Sequence, residues 1–499
     1  MLDNIASAFA SVFSAYGLFA IASGVFVGIV IGGLPGLTAT MGIAIMFPLT
    51  FYMEGMNGLY MLLGLYCGVV YGGSISAILL NTPGTPASAA TSLDGYQMTR
   101  RGEAGRALSL STTSSFFGGI FSSVALVVIS PLLARVALSF GAPEYFALAM
   151  FGLSIITSVS SKSVVKGIIG GLGGLAIACI GTDPVTSHLR FTAGSFYLMG
   201  GIHFVPILIG VFAFSQGMLS IEEEYGRTHE PVIVKVDRVL PTLADMKTVW
   251  GTMLRSSVIG TVIGAIPGTG GDIAAFISYN EARRFSKRKD QFGTGIPEGV
   301  AAPEAGNNAV TGGAMVPLLT LGIPGDSVTA IMLGSLMMLG LQPGPLLFQE
   351  HPVQVYGIFV TLFTANVMMF VMGILGIRIF TKILNISRPV LSSMILCLCV
   401  VGSFAINNSL TEVLVMVLSG IIGYFLIKLD FTMSPIIIGL ILGPMAEANL
   451  RRSFIISDGD YSFLYTRPVT AVLLALAVLT LFAPILGPRI KRRWATKNA

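Results

Sequence analysis

Four short segments pair proline with glycine inside stretches apolar enough to lie in a membrane: GLPGL at 33–37, NTPGT at 81–85, AIPGT at 265–269 and GIPGD at 322–326. Proline removes a backbone donor and glycine tolerates conformations closed to other residues, so each pair is expected to break a helix. The break frees amides and carbonyls, which survive at membrane depth only when buried in protein or lining a wet cavity. A helix restarting beyond it points N-terminal amides and partial positive charge at the gap, which suits an anion. The candidate anion-binding residues are therefore Pro35, Gly36, Thr38 and Thr40 at the first break, and Asn81, Thr82, Pro83, Gly84 and Thr85 at the second. Pro267, Gly268 and Thr269 belong to the third break, and Pro324, Gly325 and Ser327 to the fourth, with Asn307 and Asn308 just upstream.

Acidic groups supply the second half of the chemistry. Thr40 and Thr85 align with Asp272 and Asp326 at the later breaks, so the later pair carries two extra carboxylates. Ionisable groups inside membrane segments are functional candidates by default. Asp272 and Asp326 are read as ligands of a coupling cation, Na⁺ or H⁺, together with Gly270, Gly271 and Gly322 through their backbone and Glu304 through its side chain. The structural alternative is that the two threonines and two aspartates only cap helices, and capping and binding are compatible. His203 and Asn366, each in an apolar stretch, read as hydrogen-bonding groups of the packing. No cofactor and no metal beyond such an Na⁺ site is expected.

The elements that must hold these residues are helical and membranous. Of 499 residues 54% are hydrophobic and only 11% charged, against about 25% in a soluble domain. Mean hydropathy is +0.83. The excess of five positive charges marks cytoplasmic loops in such a chain, and a nucleic-acid binder is excluded. Cys67, Cys179, Cys397 and Cys399 lie in apolar stretches without metal-ligand spacing and read as small buried hydrophobes. Hydropathy places spans near 9–33, 57–80, 107–131, 143–160, 166–182, 196–219, 257–281, 311–340, 354–377, 389–406, 410–428, 434–447 and 467–487. The fold expected is an all-α polytopic membrane protein of about 11–13 transmembrane or re-entrant segments. The first basic residue is Arg100, so the N-terminal segment reads as a retained span with its start on the outer side.

An internal repeat organises the spans. GIVIGGLPGL at 28–37 matches GTVIGAIPGT at 260–269, and GGSISAILLNTPGT at 72–85 matches GGAMVPLLTLGIPGD at 312–326, in the same order. Two motifs in one order at nearly one offset imply duplication. Basic residues then set orientation. Arg100, Arg101 and Arg106 follow the second motif of the first half, whereas Arg283, Arg284, Lys287, Arg288 and Lys289 follow the first motif of the second half. Equivalent loops thus fall on opposite sides, which predicts two inverted repeats built from Pro-Gly-broken helical hairpins. The basic tail places the C-terminus in the cytoplasm, and Arg451 and Arg452 fit this pattern less well. The divisions expected are a first membrane repeat over 1–220, a cytoplasmic connector over 221–256, a second membrane repeat over 257–450, and a further span with basic tail over 451–499.

GLPGLTATMG at 33–42, NTPGTPASAATSLDGYQM at 81–98, AIPGTGGDIAAFISY at 265–279 and PEAGNNAVTGGAMVPLLTLGIPGD at 303–326 resemble the large membrane subunit of tripartite tricarboxylate transporters. The resemblance covers essentially the whole chain. It implies cation-coupled uptake of citrate or related carboxylates across the bacterial inner membrane. It also implies two partners, a small four-helix membrane subunit and a periplasmic solute-binding protein. Rival classes fare worse. The chain has no Gly-Lys pair and hence no phosphate-cradling motif. An intramembrane aspartyl protease would use Asp272 and Asp326, but neither GTGGD nor GIPGD has the Gly-x-Gly-Asp spacing of the presenilin-like proteases. A passive anion channel, also built from broken helices, stays open as an alternative.

Overall fold

The computed structural model describes residues 2–34, 37–154, 163–183, 186–224, 240–383 and 388–495. Pro35 and Gly36, the heart of the first break, lie outside the described residues, as do residues 225–239 of the charged connector. The chain is an all-α polytopic membrane protein. Among the described residues, six helices are long and apolar enough to cross a bilayer, and five shorter apolar helices accompany them. By internal contacts the chain forms two compact units, one of residues 1–135 and 212–409, the other of 136–211 and 410–499.

The larger unit holds all four breaks. In the first half, helix α1 (Ala15–Gly33) leads to the first break, α2 (Ala39–Met46) follows, α3 (Asn57–Leu80) leads to the second break, and α4 (Ala89–Arg100) and α5 (Ala104–Ala137) follow. In the second half α6 (Leu243–Ala265), α7 (Gly270–Phe285), α8 (Pro297–Leu321) and α9 (Ser327–Met338) repeat the pattern of the first four. Two of these helices begin earlier than hydropathy indicates. α6 starts within the expected connector because Thr242 and Asp245 form a capping box. α8 starts at Pro297 rather than near 311, since its polar turns are enclosed by protein and need no apolar character.

Glycine decides how the helices pair. On α1, Gly24, Gly28 and Gly32 lie at four-residue spacing, and on α3 so do Gly64, Gly68 and Gly72. The stripes face each other: a Cβ at Gly28 would strike the Leu65 carbonyl, and one at Gly68 the Val25 carbonyl. Backbones this close gain dispersion contact along their length, the usual source of helix association in lipid. α6 and α8 repeat the device, with Gly260 against the Gly306 carbonyl and Gly313 against that of Thr261. α3 and α8 are buried almost throughout and touch one another, so they form the centre of the unit.

The smaller unit packs Ala142–Ser154 and Val164–Ala178 against Ser434–Ile456, with Pro468–Ala495 on Ala142–Ser154. A short hairpin, Gly181–Thr182 with Leu189–Arg190, replaces the end of the span expected over 166–182. Arg451 is not a free loop charge. It pairs with Asp183 and Glu447, each at 2.7 Å, and Arg190 joins both carboxylates. His203 is exposed at the start of helix Phe204–Leu208, rather than inside a span. Cys67 and Cys399 are buried as expected, but Cys397 is exposed.

Close packing at the glycine stripe has a measurable consequence. Gly68→Val should lower the thermal stability of the detergent-purified chain by about 1–3 kcal/mol, because the backbone of α1 has nowhere to move. Gly251, exposed on α6 with nothing near its would-be side chain, is the control. Gly251→Ala should stabilise by about 0.4–1 kcal/mol. Equal melting temperatures for the two variants would remove the close-approach account.

Candidate functional site

The breaks are held by matching backbone devices. α3 ends on Asn81 and α8 on Gly322, both in the left-handed conformation (φ 54° and 71°) that commonly closes a helix. The Gly84 amide donates to the Gly73 carbonyl at 3.2 Å. A Cβ at Gly84 would strike the Gly32 carbonyl, and one at Gly325 would reach the Gly264 carbonyl and Ala314, so glycine is required at both tips for the same reason. The two breaks of the second half are joined directly, by the Gly268 amide donating to the Gly325 carbonyl at 2.7 Å.

Of the four residues expected to cap, Asp326 alone does so with its side chain. Thr38, not Thr40, caps α2, accepting from the Met41 amide at 3.1 Å. Thr40 is the second residue of that helix, two positions past its cap. Asp272 likewise sits on the third residue of α7 and is exposed, while Thr269 precedes the helix and donates to the Ile266 carbonyl at 2.8 Å. Thr85 precedes a short 3-10 turn, Pro86–Ser88, whose Ser88 hydroxyl donates to the Thr85 carbonyl at 2.7 Å. Asp326 does cap: its Oδ1 accepts from the Thr329 amide and hydroxyl, both at 2.7 Å. Its Oδ2 accepts from the Tyr66 hydroxyl of the first half at 2.5 Å.

Tips from different halves meet. The turn Pro86–Ser88 touches α7 and α8, and α9 touches α2. Asn307 lies at the first junction. It is 2% exposed, and a Cβ at Gly271 would strike its Oδ1 and touch Ala87. Its Nδ2 has no protein partner, and neither does the buried Thr85 hydroxyl. Burying an amide donor without an acceptor costs roughly 1–3 kcal/mol, which a bound anion would relieve. Asn81 and Thr82 are exposed, Pro83 and Ser327 partly so, and Pro267 and Pro324 are buried.

Glu304 and, one helical turn on, Asn308 belong to a second cluster of buried polar groups. Glu304 is fully buried. Its Oε1 accepts from Thr91 at 2.5 Å, and its Oε2 from Ser115 at 2.9 Å and Ser111 at 3.3 Å. Ser111 is in turn 2.6 Å from Ser74. Reading the motifs alone missed these hydroxyls, although SLSTTSS at 109–115 places serines one helical turn apart in an apolar stretch. It also missed Asp94, fully buried on α4. Asp94 accepts from the amides of Gly293, Gly295 and Ile296 and from the Tyr279 hydroxyl, at 2.7–3.0 Å. Asn366, expected to bond between helices, donates to Leu362 of its own helix at 2.8 Å. Its Oδ1 lies against Gly119 of α5 without a partner.

The family model described as "Tripartite tricarboxylate transporter TctA family" matches residues 18–438. The chain belongs to that family. It is 37% identical over 470 residues to an uncharacterized 52.8 kDa protein of the TAR-I ttuC' 3' region of Agrobacterium vitis, covering 94% of this chain and 93% of that one. It is 36% identical over 234 residues to a protein of the TAR-II ttuC' 3' region of the same organism, covering 47% of this chain and 96% of that one. No solved structure matches it. Membership of a transporter family makes the large membrane subunit of a tricarboxylate transporter the functional frame for the broken helices.

Two carboxylates in this arrangement test separable roles. Asp326→Ala should cost about 0.5–2 kcal/mol of stability through the lost cap, whereas Asp326→Asn should cost little. Asp94→Asn replaces an all-acceptor group facing three amides with one that carries its own donors, and should cost about 1–3 kcal/mol. Thermal unfolding measures both, and limited proteolysis within 286–296 should rise only for Asp94→Asn. Unchanged cleavage there would mean that Asp94 does not hold the loop.

Proposed function

We propose that this chain moves tricarboxylates or related carboxylates by alternating access, driven by a cation gradient, as the membrane core of a three-component uptake system. The observation that carries this reading is the junction where Pro86–Ser88 of one half meets α7 and α8 of the other around the unpartnered Asn307 amide. Restarted helices aim their positive ends at such a gap, and an amide NH₂ donates to a carboxylate oxygen. Pro267, Gly268, Thr269, Pro83, Gly84 and Thr85 form its backbone walls. Thr38, Thr40, Asn81, Thr82, Pro324, Gly325 and Ser327 serve the same pathway at its other broken ends, and Asn308 stands beside it on α8.

The setting is the inner membrane of a bacterium, with the periplasmic binding protein delivering substrate and the small membrane subunit completing the transporter. The family's tripartite description supports these partners. The uneven loop charges support inverted halves, with the N-terminus periplasmic and the C-terminus cytoplasmic. Single cysteines introduced beside Glu54 and Arg284 should label from opposite faces of sealed vesicles. Labelling of both from one face would overturn the inversion.

Uptake is the direct test. Proteoliposomes holding all three components should accumulate a labelled carboxylate, and those holding this chain alone should not. Asn307→Ala should raise KM about tenfold or more at unchanged expression, since a hydrogen bond to a charged group contributes about 1.5–3 kcal/mol. Accumulation by the chain alone would refute dependence on partners. Uptake that persists after the cation gradient is collapsed would favour the passive channel.

A further inference from the structure

We propose that the coupling cation is Na⁺ and that it binds at Glu304 within the hydroxyl cluster of Thr91, Ser111 and Ser115, rather than at Asp272 or Asp326. This rests on the reading of the chain as a cation-driven transporter and places the cation within it. Five oxygens converge there: both carboxyl oxygens of Glu304 and the three hydroxyls, all fully buried. Among the described residues no Lys, Arg or His bonds to Glu304, so its negative charge has no fixed counter-charge. An unpaired charge taken out of water costs several kcal/mol even after the surroundings relax. A mobile cation removes that cost.

Comparison with Asp94 shows why the donors matter. Asp94 is also fully buried, but its partners are three backbone amides and a tyrosine hydroxyl. Amides can only donate, so that site is permanently complete. Aliphatic hydroxyls rotate, and each can turn its proton away and present a lone pair. The Glu304 cluster can therefore close on itself without the ion and act as an all-oxygen ligand set with it, the type that suits hard cations. A proton needs one acceptor, whereas three hydroxyls from two helices supply what a metal ion needs. The next turn of α8 adds Asn308, fully buried, with Nδ2 on the Glu304 carbonyl at 3.0 Å and Oδ1 without a partner.

The aspartates are less suited. Both oxygens of Asp326 are engaged, by Thr329 and by Tyr66, and Asp272 is exposed. The Glu304 ligands also come from both halves, α8 on one side and α4 with α5 on the other. A cation held there favours the arrangement that brings those helices together, and only such differential binding shifts a conformational equilibrium.

The test needs neither substrate nor partners. Thermal unfolding of the detergent-purified chain is followed in a NaCl series, with choline chloride holding ionic strength constant. A ligand that binds only the folded state raises stability with its concentration. Wild type should gain stability with Na⁺ but not with choline, and Glu304→Gln should gain none. Thr91→Val and Ser115→Ala should each need about tenfold more Na⁺ or beyond for the same gain. No sodium-specific gain in wild type overturns the proposal, and so does a gain retained by Glu304→Gln. Stability that rises on acidification but ignores Na⁺ overturns it too. Each outcome stands even if uptake by the complete transporter proves not to be cation-driven. In that complete transporter, Glu304→Gln should exchange substrate across the membrane but lose Na⁺-driven accumulation, and wild-type accumulation would contradict the assignment.

Discussion

A helix that stops inside a membrane leaves amides and carbonyls that lipid cannot satisfy, and everything else in the larger unit follows from meeting that demand four times. Among the described residues, the tip of the second break bonds back to its own preceding helix, Gly84 on Gly73, and the third and fourth breaks bond to each other, Gly268 on Gly325. Those bonds require the tips to approach helix backbones with no side chain between them. The glycine stripes of α1 and α3, and the glycines of α6 and α8, are therefore one device with the breaks they flank. A Cβ at Gly32 or Gly264 would meet the backbone of the paired helix, and their carbonyls are the surfaces on which Gly84 and Gly325 rest. The packing and the gap cannot be altered independently.

Much of this was legible in the sequence, because Pro, Gly and hydropathy are local signals. The membrane class and the breaks at 81–85, 265–269 and 322–326 all rest on residues close together in the chain. What the sequence did not reveal was pairing between residues about two hundred positions apart. Nothing near Glu304 announces that Thr91 and Ser115 are its partners. Capping was misassigned for a related reason. Alignment of Thr40 with Asp272 reads a position in the repeat, but the cap is set by the residue where the helix starts, and α2 and α7 start at Ala39 and Gly270. The start of α8 was missed because hydropathy measures transfer to lipid, and a helix enclosed by protein does not make that transfer.

The buried acids show how one chemical group serves two ends according to its donors. Fixed amides make Asp94 a clamp on the loop entering α8. Rotating hydroxyls leave Glu304 a group whose surroundings can change sign. Asp326 lies between these cases, with one oxygen on its own helix start and the other on Tyr66. Burial alone therefore does not sort structural from functional carboxylates in this fold; the ability of the partner to reverse its dipole does.

The same bonds limit how the unit can move. Tyr66 of the first half reaches Asp326 of the second, and Tyr279 of the second reaches Asp94 of the first, a reciprocal exchange of hydroxyl for carboxylate. Thr91, Ser111 and Ser115 add three more bonds from the first half to Glu304. Pulling the halves apart as rigid bodies would leave Asp94 and Glu304 without donors, and each buried carboxylate stripped in this way costs several kcal/mol. The tips carry a smaller penalty, with Tyr66 to Asp326 the carboxylate bond that a moving tip would exchange. Asn307 and Thr85 already stand without partners at the junction, and the backbone bonds that hold the tips are single ones. Motion confined to the ends of α3, α6 and α8 exchanges one or two hydrogen bonds, whereas separation of the halves breaks a network. While the Glu304 cluster stays closed, the lower-cost movement is therefore at the breaks, and a cation that holds the cluster closed selects that movement.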